Sequence, residues 1–198
     1  MLATVAGLLL TTGISADTDV FEQIKAMLGE DGCSHFEFMS IIESDVFDQV
    51  DTATGTAYLA RDGRYNIEIG QDKFLCDGEY RYSYSEGSGQ VIIEKMEPTS
   101  AGDEEFSFII KLGDFYNTHV VKKNHRYRLV RKSEGGGSYP DSLYVTVDKD
   151  TKRLKRFDYL DVNEEANTIL FLKQDYRLNC DDTWFQPNFP DSVERVRL

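Results

Sequence analysis

Residues 72–94 read DKFLCDGEYRYSYSEGSGQVIIE, and they set the pattern for the chain on either side. Tyr80, Tyr82 and Tyr84 fall at every second position, and a glycine-serine turn then leads into Val91-Ile92-Ile93. A period of two is that of an extended strand, so the three rings share one face. Asp77-Gly78 ahead of the ladder and Glu86-Gly87-Ser88-Gly89 behind it are turn signals that make hairpins. A strand that turns three rings to one side buries something large. That is either an ordinary core or the wall of a ligand cavity.

The same alternation runs outward in both directions. In TGTAYLARDGRYNIEIG (residues 54–70) the chain turns at Asp62-Gly63, and Tyr65, Ile67 and Ile69 share a face on the return. Earlier, HFEFMSIIES sets Phe36, Phe38 and Ile42 against Glu37 and Glu43. Later strands are HRYRLVRK, DSLYVTVDKD, RLKRFDYLDV and NTILFLKQDYRLN, with loops at Gly135-Gly136-Gly137 and Asp148-Lys149-Asp150. Two segments break the period. Residues 17–29 place Val20, Ile24 and Met27 at helical spacing, capped by Asp17 or Thr18 and stopped by Gly29. Residues 103–112 carry Phe106, Ile109 and Ile110 in the same way. The expectation is mainly β: about ten antiparallel strands, a sheet large enough to curl or close. The two amphipathic helices are then the available cover for its apolar side.

The chain has 198 residues, no fixed-period repeat and no linker rich enough to divide two domains. Its formal charge of −13 argues against nucleic acid and against bulk adhesion to an anionic leaflet. The start, MLATVAGLLLTTGISADTD, has the apolar stretch and small residues of a secretory signal peptide over residues 1–16. It lacks a Lys or Arg near Met1, and an apolar helix packed on the core is the alternative. A single domain over 17–198, in an extracytoplasmic space, follows from the first reading. Cys33, Cys76 and Cys180 match no metal signature; they read as buried small residues, with one disulfide open to them in an oxidising compartment.

Catalytic frames are missing. His35, His119 and His125 stand outside any nucleophile elbow and read as surface or loop residues. Glu43, Asp45, Asp48 and Asp51 lack the spacing and glycine of a calcium loop. No catalytic residue, metal or cofactor is expected, and a secreted hydrolase is the least favoured reading. KKNHRYRLVRK holds six Lys or Arg between Lys122 and Lys132, and TKRLKR follows at 151–156. They read as solvated strand faces, or as a docking surface for an acidic partner or lipid headgroup. Twelve Phe and eleven Tyr remain as the functional signal, since a curved sheet lined with rings makes a cavity for an acyl chain.

The order of these features resembles the LolA family of periplasmic lipoprotein carriers. The likeness rests on the signal peptide and short helix, the Phe-x-Phe strand, GTAYLARDGRYNIEI, DKFLCDGEYRYSYS, the mid-chain helix and the ending FQPNFPDSVERVRL, and covers residues 18–198. It implies a LolA-like fold, an unclosed antiparallel β-barrel of about eleven strands under a helical lid. It also implies a shuttle that takes lipoprotein acyl chains from an inner-membrane LolCDE-type transporter to an outer-membrane acceptor. A LolA-like sensor, or a carrier of another lipid, is the alternative, and a monomer is expected.

The cavity wall expected on this basis comprises Phe36 and Phe38, Ile67 and Ile69, the tyrosines at 80, 82 and 84, Val91 and Ile93, Leu143 and Val145, and Phe171. The lid would present Val20, Ile24, Phe106, Ile109 and Ile110. The family's Arg-Pro latch is here Arg61-Asp62-Gly63-Arg64, without the proline. Arg61 takes the latch role by resemblance, with Arg64 as competitor.

Overall fold

The computed structural model describes residues 32–44, 48–96, 112, 116–122, 125–132, 140–151, 153–161 and 163–198, with backbone alone at 120–122. Among these residues twelve strands form one sheet. They are β1 (Cys33–Ser44), β2 (Gln49–Ala60), β3 (Tyr65–Ile69), β4 (Asp72–Cys76), β5 (Tyr80–Ser85) and β6 (Gln90–Lys95). The second half supplies β7 (Tyr116–Lys122), β8 (Arg126–Arg131), β9 (Ser142–Val147), β10 (Leu154–Leu160), β11 (Ala166–Leu178) and β12 (Glu194–Arg197).

Across the sheet the order is β12-β6-β5-β4-β3-β2-β1-β11-β10-β9-β8-β7. Each half is a meander, and the halves join where β1 pairs β11. The end strands β12 and β7 are not paired with each other, so the sheet is open. All described pairs are antiparallel except β12 with β6, which is parallel.

Local chemistry sets the turns. Gly63, at φ +96°, follows Asp62, whose carboxylate accepts from the Arg64 amide at 3.1 Å. At the next hairpin Gly78 has φ +99°, and Asp77 Oδ1 accepts the amides of Glu79 and Tyr80, each at 2.8 Å. These left-handed positions suit glycine, which has no Cβ to clash. Gly55 serves a different end. A Cβ there would strike the Phe38 ring and the Glu68 carbonyl, so the bare backbone lets that ring lie across β2.

The expected ten to eleven strands become twelve because two edges were missed. β7 starts at Tyr116, ahead of the strand read from HRYRLVRK, and β12 arises from the tail. The signal peptide, the helix at 17–29 and nearly all of the helix at 103–112 lie outside the described residues. Leu112 is the exception: its backbone is helical, and it is buried in the main core.

Candidate functional site

Register sorts every side chain of the sheet onto one of two faces. Phe36 stands opposite Ala57, and Phe38 opposite Gly55 and Phe171. Ala57 in turn meets Ile67, which meets Phe74. On the other side of β11, Ile169 meets Phe157, Phe157 meets Val145, and Val145 meets Tyr127. This first face therefore runs from β4 through β1 and β11 to β8. It forms a single cluster in which Phe36, Phe38, Leu129, Leu143 and Phe157 are fully buried. Its rings meet edge to face: Phe36 on Phe171 at 5.7 Å, and Phe157 on Phe171 at 5.0 Å. Each such buried side chain contributes about 1.5–3 kcal/mol.

Polar groups on the first face are few and mostly paired. Gln174 lies buried opposite Phe36 and ties down the start of β10, donating to the Leu154 carbonyl at 2.6 Å and accepting its amide at 3.1 Å. The Tyr176 hydroxyl donates to the same Gln174 oxygen, and burial pushes the Tyr176 phenol up to about 12. The Cys76 thiol is free, buried and pushed up by that burial, with Met96 Sδ at 3.6 Å. The Tyr65 hydroxyl differs: it is buried without a hydrogen-bond partner.

The second face carries the tyrosine ladder. Leu75 opposes Tyr82, whereas first-face Phe74 opposes Ser83, so Tyr80, Tyr82 and Tyr84 turn away from the main core. Val91 and Ile93 pair with Tyr84 and Tyr82 and follow them. The twelve expected wall residues thus divide. Phe36, Phe38, Ile67, Ile69, Leu143, Val145 and Phe171 share the first face. Tyr80, Tyr82, Tyr84, Val91 and Ile93 form a separate cluster on the second, and the single wall expected from sequence is corrected to that extent. The cause is the backbone parity of β5, whose first-face positions are Arg81, Ser83 and Ser85.

What covers the ladder is the C-terminal segment. Phe189 sits between Tyr82 and Tyr84, with ring centroids 5.9 and 5.7 Å away, and Val193 joins Val91 and Ile93. Closer to β11, a 3₁₀ turn at Asp182–Phe185 lays Trp184 on Tyr58 at 4.7 Å and buries Phe185 beside the Cys33–Cys180 disulfide. Arg64 clamps this turn. It donates to Asp182 at 2.7 Å and to Asp62 at 2.8 Å, with its guanidinium 4.8 Å from the Phe185 ring centre. The hydrogen bond to Asp182, ahead of that to Asp62, raises its pKa. Arg64, named as the competitor for the latch, therefore fastens the tail to the second face. Arg61 is half-buried and donates its amide to Gly32 at 3.3 Å; the lid residues it was expected to hold lie outside the described residues. The same is true of Val20, Ile24, Phe106, Ile109 and Ile110.

His35 corrects a sequence expectation too. It is buried in β1, stacks on Tyr58 at 4.5 Å and lies 3.4 Å from Asp175, while His119 is exposed. Over β8 to β11 the second face is mostly polar, with Leu160 and Leu172 exposed on it. A groove of about 900 Å³ there is lined by Arg126, Arg156, Tyr144, Asp158 and Thr168, among others. Two of its arginines share one carboxylate: Arg156 donates to Asp158 at 2.5 Å, as does Thr168 at 3.0 Å, and Arg126 lies 3.5 Å from Asp158 with its guanidinium 4.5 Å from the Tyr144 ring centre. Among the described residues no three His, Cys, Asp or Glu side chains gather to hold a metal, and no helix is long and apolar enough to cross a membrane.

The chain is similar to several solved structures. An uncharacterized conserved protein from Thermus thermophilus superposes with a TM-score of 0.55 at 11% identity, covering 91% of this chain and 98% of its own. The LolA superfamily protein NE2245 from Nitrosomonas europaea matches with a TM-score of 0.47 at 9% identity, over 86% of this chain and 97% of its own. An outer membrane lipoprotein-sorting protein domain from Vibrio parahaemolyticus gives 0.46 at 10% identity, over 85% and 95%. At 11% identity the likeness to the Thermus thermophilus protein is one of fold. No family model matches the sequence, and no curated protein matches it.

Sequence reasoning passed over Tyr58, Trp184, Phe185 and Phe189. Their common signal was present in the tail, where Trp184, Phe185 and Phe189 are large rings with no strand pattern to house them.

Proposed function

We propose that the protein is an extracytoplasmic carrier of acyl chains, which shuttles lipoproteins from an inner-membrane LolCDE-type transporter to an outer-membrane acceptor. The observation that carries this reading is the first face, one continuous wall of rings and aliphatic side chains across both halves of an open sheet. The Cys33–Cys180 disulfide supports an oxidising compartment such as the periplasm. The reading assigns the chain no catalysis.

The energetics suit a carrier. A buried methylene contributes roughly 0.8 kcal/mol, so an acyl chain of about sixteen carbons gains about 12 kcal/mol over water. Release is feasible because the chain passes to another apolar site, and the difference between the two is small. In this state the wall is buried, with Leu112 packed into it, so loading requires the wall to be uncovered. The Tyr65 hydroxyl, buried on that wall without a hydrogen-bond partner, is the candidate donor to an acyl ester carbonyl.

The test is expression of the whole chain with its N-terminus intact, followed by mass spectrometry of what copurifies, with a photo-crosslinker at Leu143. Acylated lipoprotein attached at Leu143 is the expected result. Free lipid of another class would shift the reading to a different cargo, and no acyl species at all would end it.

A further inference from the structure

The C-terminal segment is fastened unequally along its length. Its root, as far as Phe185, is held by the Cys33–Cys180 disulfide, by Trp184 on Tyr58 and by the Arg64 clamp. Asn66 adds a hydrogen bond to the Trp184 carbonyl at 2.7 Å. Gln186, Pro187 and Asn188 are then exposed. Beyond them only Phe189 and Val193 are buried, and the short β12 pairs in parallel with β6 at the border of the sheet. Parallel pairing is the less stable kind, and this cluster is separate from the main core. The distal part, the flap, is thus the less firmly held, and the exposed residues 186–188 join it to the root.

Lifting the flap uncovers two things at once. Tyr82, Tyr84, Val91 and Ile93 become an exposed apolar strip, and β6 becomes an unpaired edge. Such an edge accepts an extended chain by main-chain hydrogen bonds, while pockets beside it select alternate side chains. The flap shows what fits. Glu194 donates its amide to the Gly89 carbonyl and Leu198 to the Ile93 carbonyl, both at 3.1 Å. Phe189 fills the notch between two tyrosines, and Val193 lies on the aliphatic pair. These amide bonds favour a peptide over a lipid, which has no regularly spaced row of backbone donors and acceptors to match an edge strand. The fit is also incomplete: a cavity of about 150 Å³, lined by Lys73, Tyr84 and Asn188 among others, remains beside Phe189.

We propose that the tyrosine strip and the β6 edge form a binding site for an extended peptide, closed in this state by the chain's own C-terminus. The peptide's pattern is an aromatic residue, a β-branched residue four positions on, and then an edge strand. A larger ring than Phe fills the residual cavity and so displaces the flap. The site lies on the face opposite the proposed acyl wall and does not depend on that reading.

The test uses the whole chain with Phe189→Ala and Val193→Ala, its disulfide checked by thiol titration and its fold by circular dichroism. A second variant, Val196→Pro, cuts the β12 ladder and leaves the strip intact. Fluorescein-labelled QPNFPDSVERVRL, the sequence of residues 186–198, is titrated by anisotropy. Each opened variant is expected to bind it at least about ten-fold tighter than the wild type, whose tethered flap competes at high effective concentration. Adding Tyr82→Ala and Tyr84→Ala abolishes binding, and a peptide with Trp in place of Phe189 binds tighter than the parent. Equal affinity for wild type and opened variants overturns the proposal, as does no binding by variants that are folded. A dimer that the peptide fails to disperse gives the site to a second copy of the chain, and overturns it too.

Discussion

Phe157 and Phe189 are both buried rings, one on each face of the sheet, and they keep unlike company. Phe157 is fully buried, set edge-on to Phe171 and paired across strands with Val145 and Ile169. Phe189 is 9% exposed and touches two tyrosines on a strip that the chain reaches only at its end. The first face is one cluster to which both halves of the chain contribute strands, joined at β1 and β11, with Leu112 packed into it. The tyrosine strip on the second face is covered instead by a strap, the C-terminal segment. A ring seated in a central strand leaves its place only if the sheet comes apart, whereas a ring carried on a strap can leave with the strap.

The sharpest way to break this comparison is to cut back each ring. Phe157→Ala is expected to cost about 3–5 kcal/mol in denaturant unfolding, as large-to-small changes in closed cores do. Phe189→Ala is expected to cost no more than about 2 kcal/mol, since its burial is partial and its site opens to water. If both cost the same, the second face is as integral as the first. Next in size comes the disulfide. Replacing Cys33 and Cys180 by Ser frees a cross-link spanning 147 residues, a loss of about 2–5 kcal/mol in unfolding free energy. Hydrogen exchange of the variant should rise first in residues 181–198 and last in β1 and β11. Uniform loss of protection would show that the root of the strap and the core are one unit.

How far these faces could be read beforehand depended on local pattern. Asp62-Gly63 marked the β2–β3 hairpin because its turn chemistry is local, and the ladder's period of two was correct. The face of the ladder was not legible. Phe74, Leu75 and Cys76 are apolar at consecutive positions, and Leu75 and Cys76 are both fully buried, on opposite faces. Alternation carries no sign through such a strand, so parity could not be passed from Ile67 to Tyr82. β12 was hidden for another reason: in Glu-Arg-Val-Arg only Val196 is apolar, and its partner β6 lies about a hundred residues away, beyond any local pattern. Most of the first-face wall was visible in Phe36, Phe38, Leu143 and Val145, where the alternation is clean.

A smaller change separates stability from binding on the first face. Tyr65→Phe removes a buried hydroxyl that has no hydrogen-bond partner, so the fold is expected to keep or slightly gain stability. Affinity for an acylated cargo should fall by roughly 3–10-fold, the worth of one net hydrogen bond. Loss of stability without loss of affinity would place that hydroxyl in the packing and not in the site.

The smallest effect compares one tyrosine from each face. Tyr176 on the first and Tyr82 on the second are both pushed up from 10.0 to about 12. Burial is the leading cause for each, but Tyr82 also donates to Asp77 Oδ2 at 2.9 Å, and that carboxylate disfavours the phenolate further. A group whose folded pKa is raised contributes stability that is intact below its unfolded pKa. That contribution is lost as pH climbs from about 10 through about 12, because the unfolded chain ionises first. Asp77→Asn keeps the oxygen that caps the turn and removes the charge. In an ultraviolet titration it is expected to bring Tyr82 part of the way back toward 10.0 and leave Tyr176 where it is, with a matching loss of alkaline sensitivity. If Tyr176 moves with Tyr82, the two faces are coupled through the sheet, and the strap is no longer an independent element.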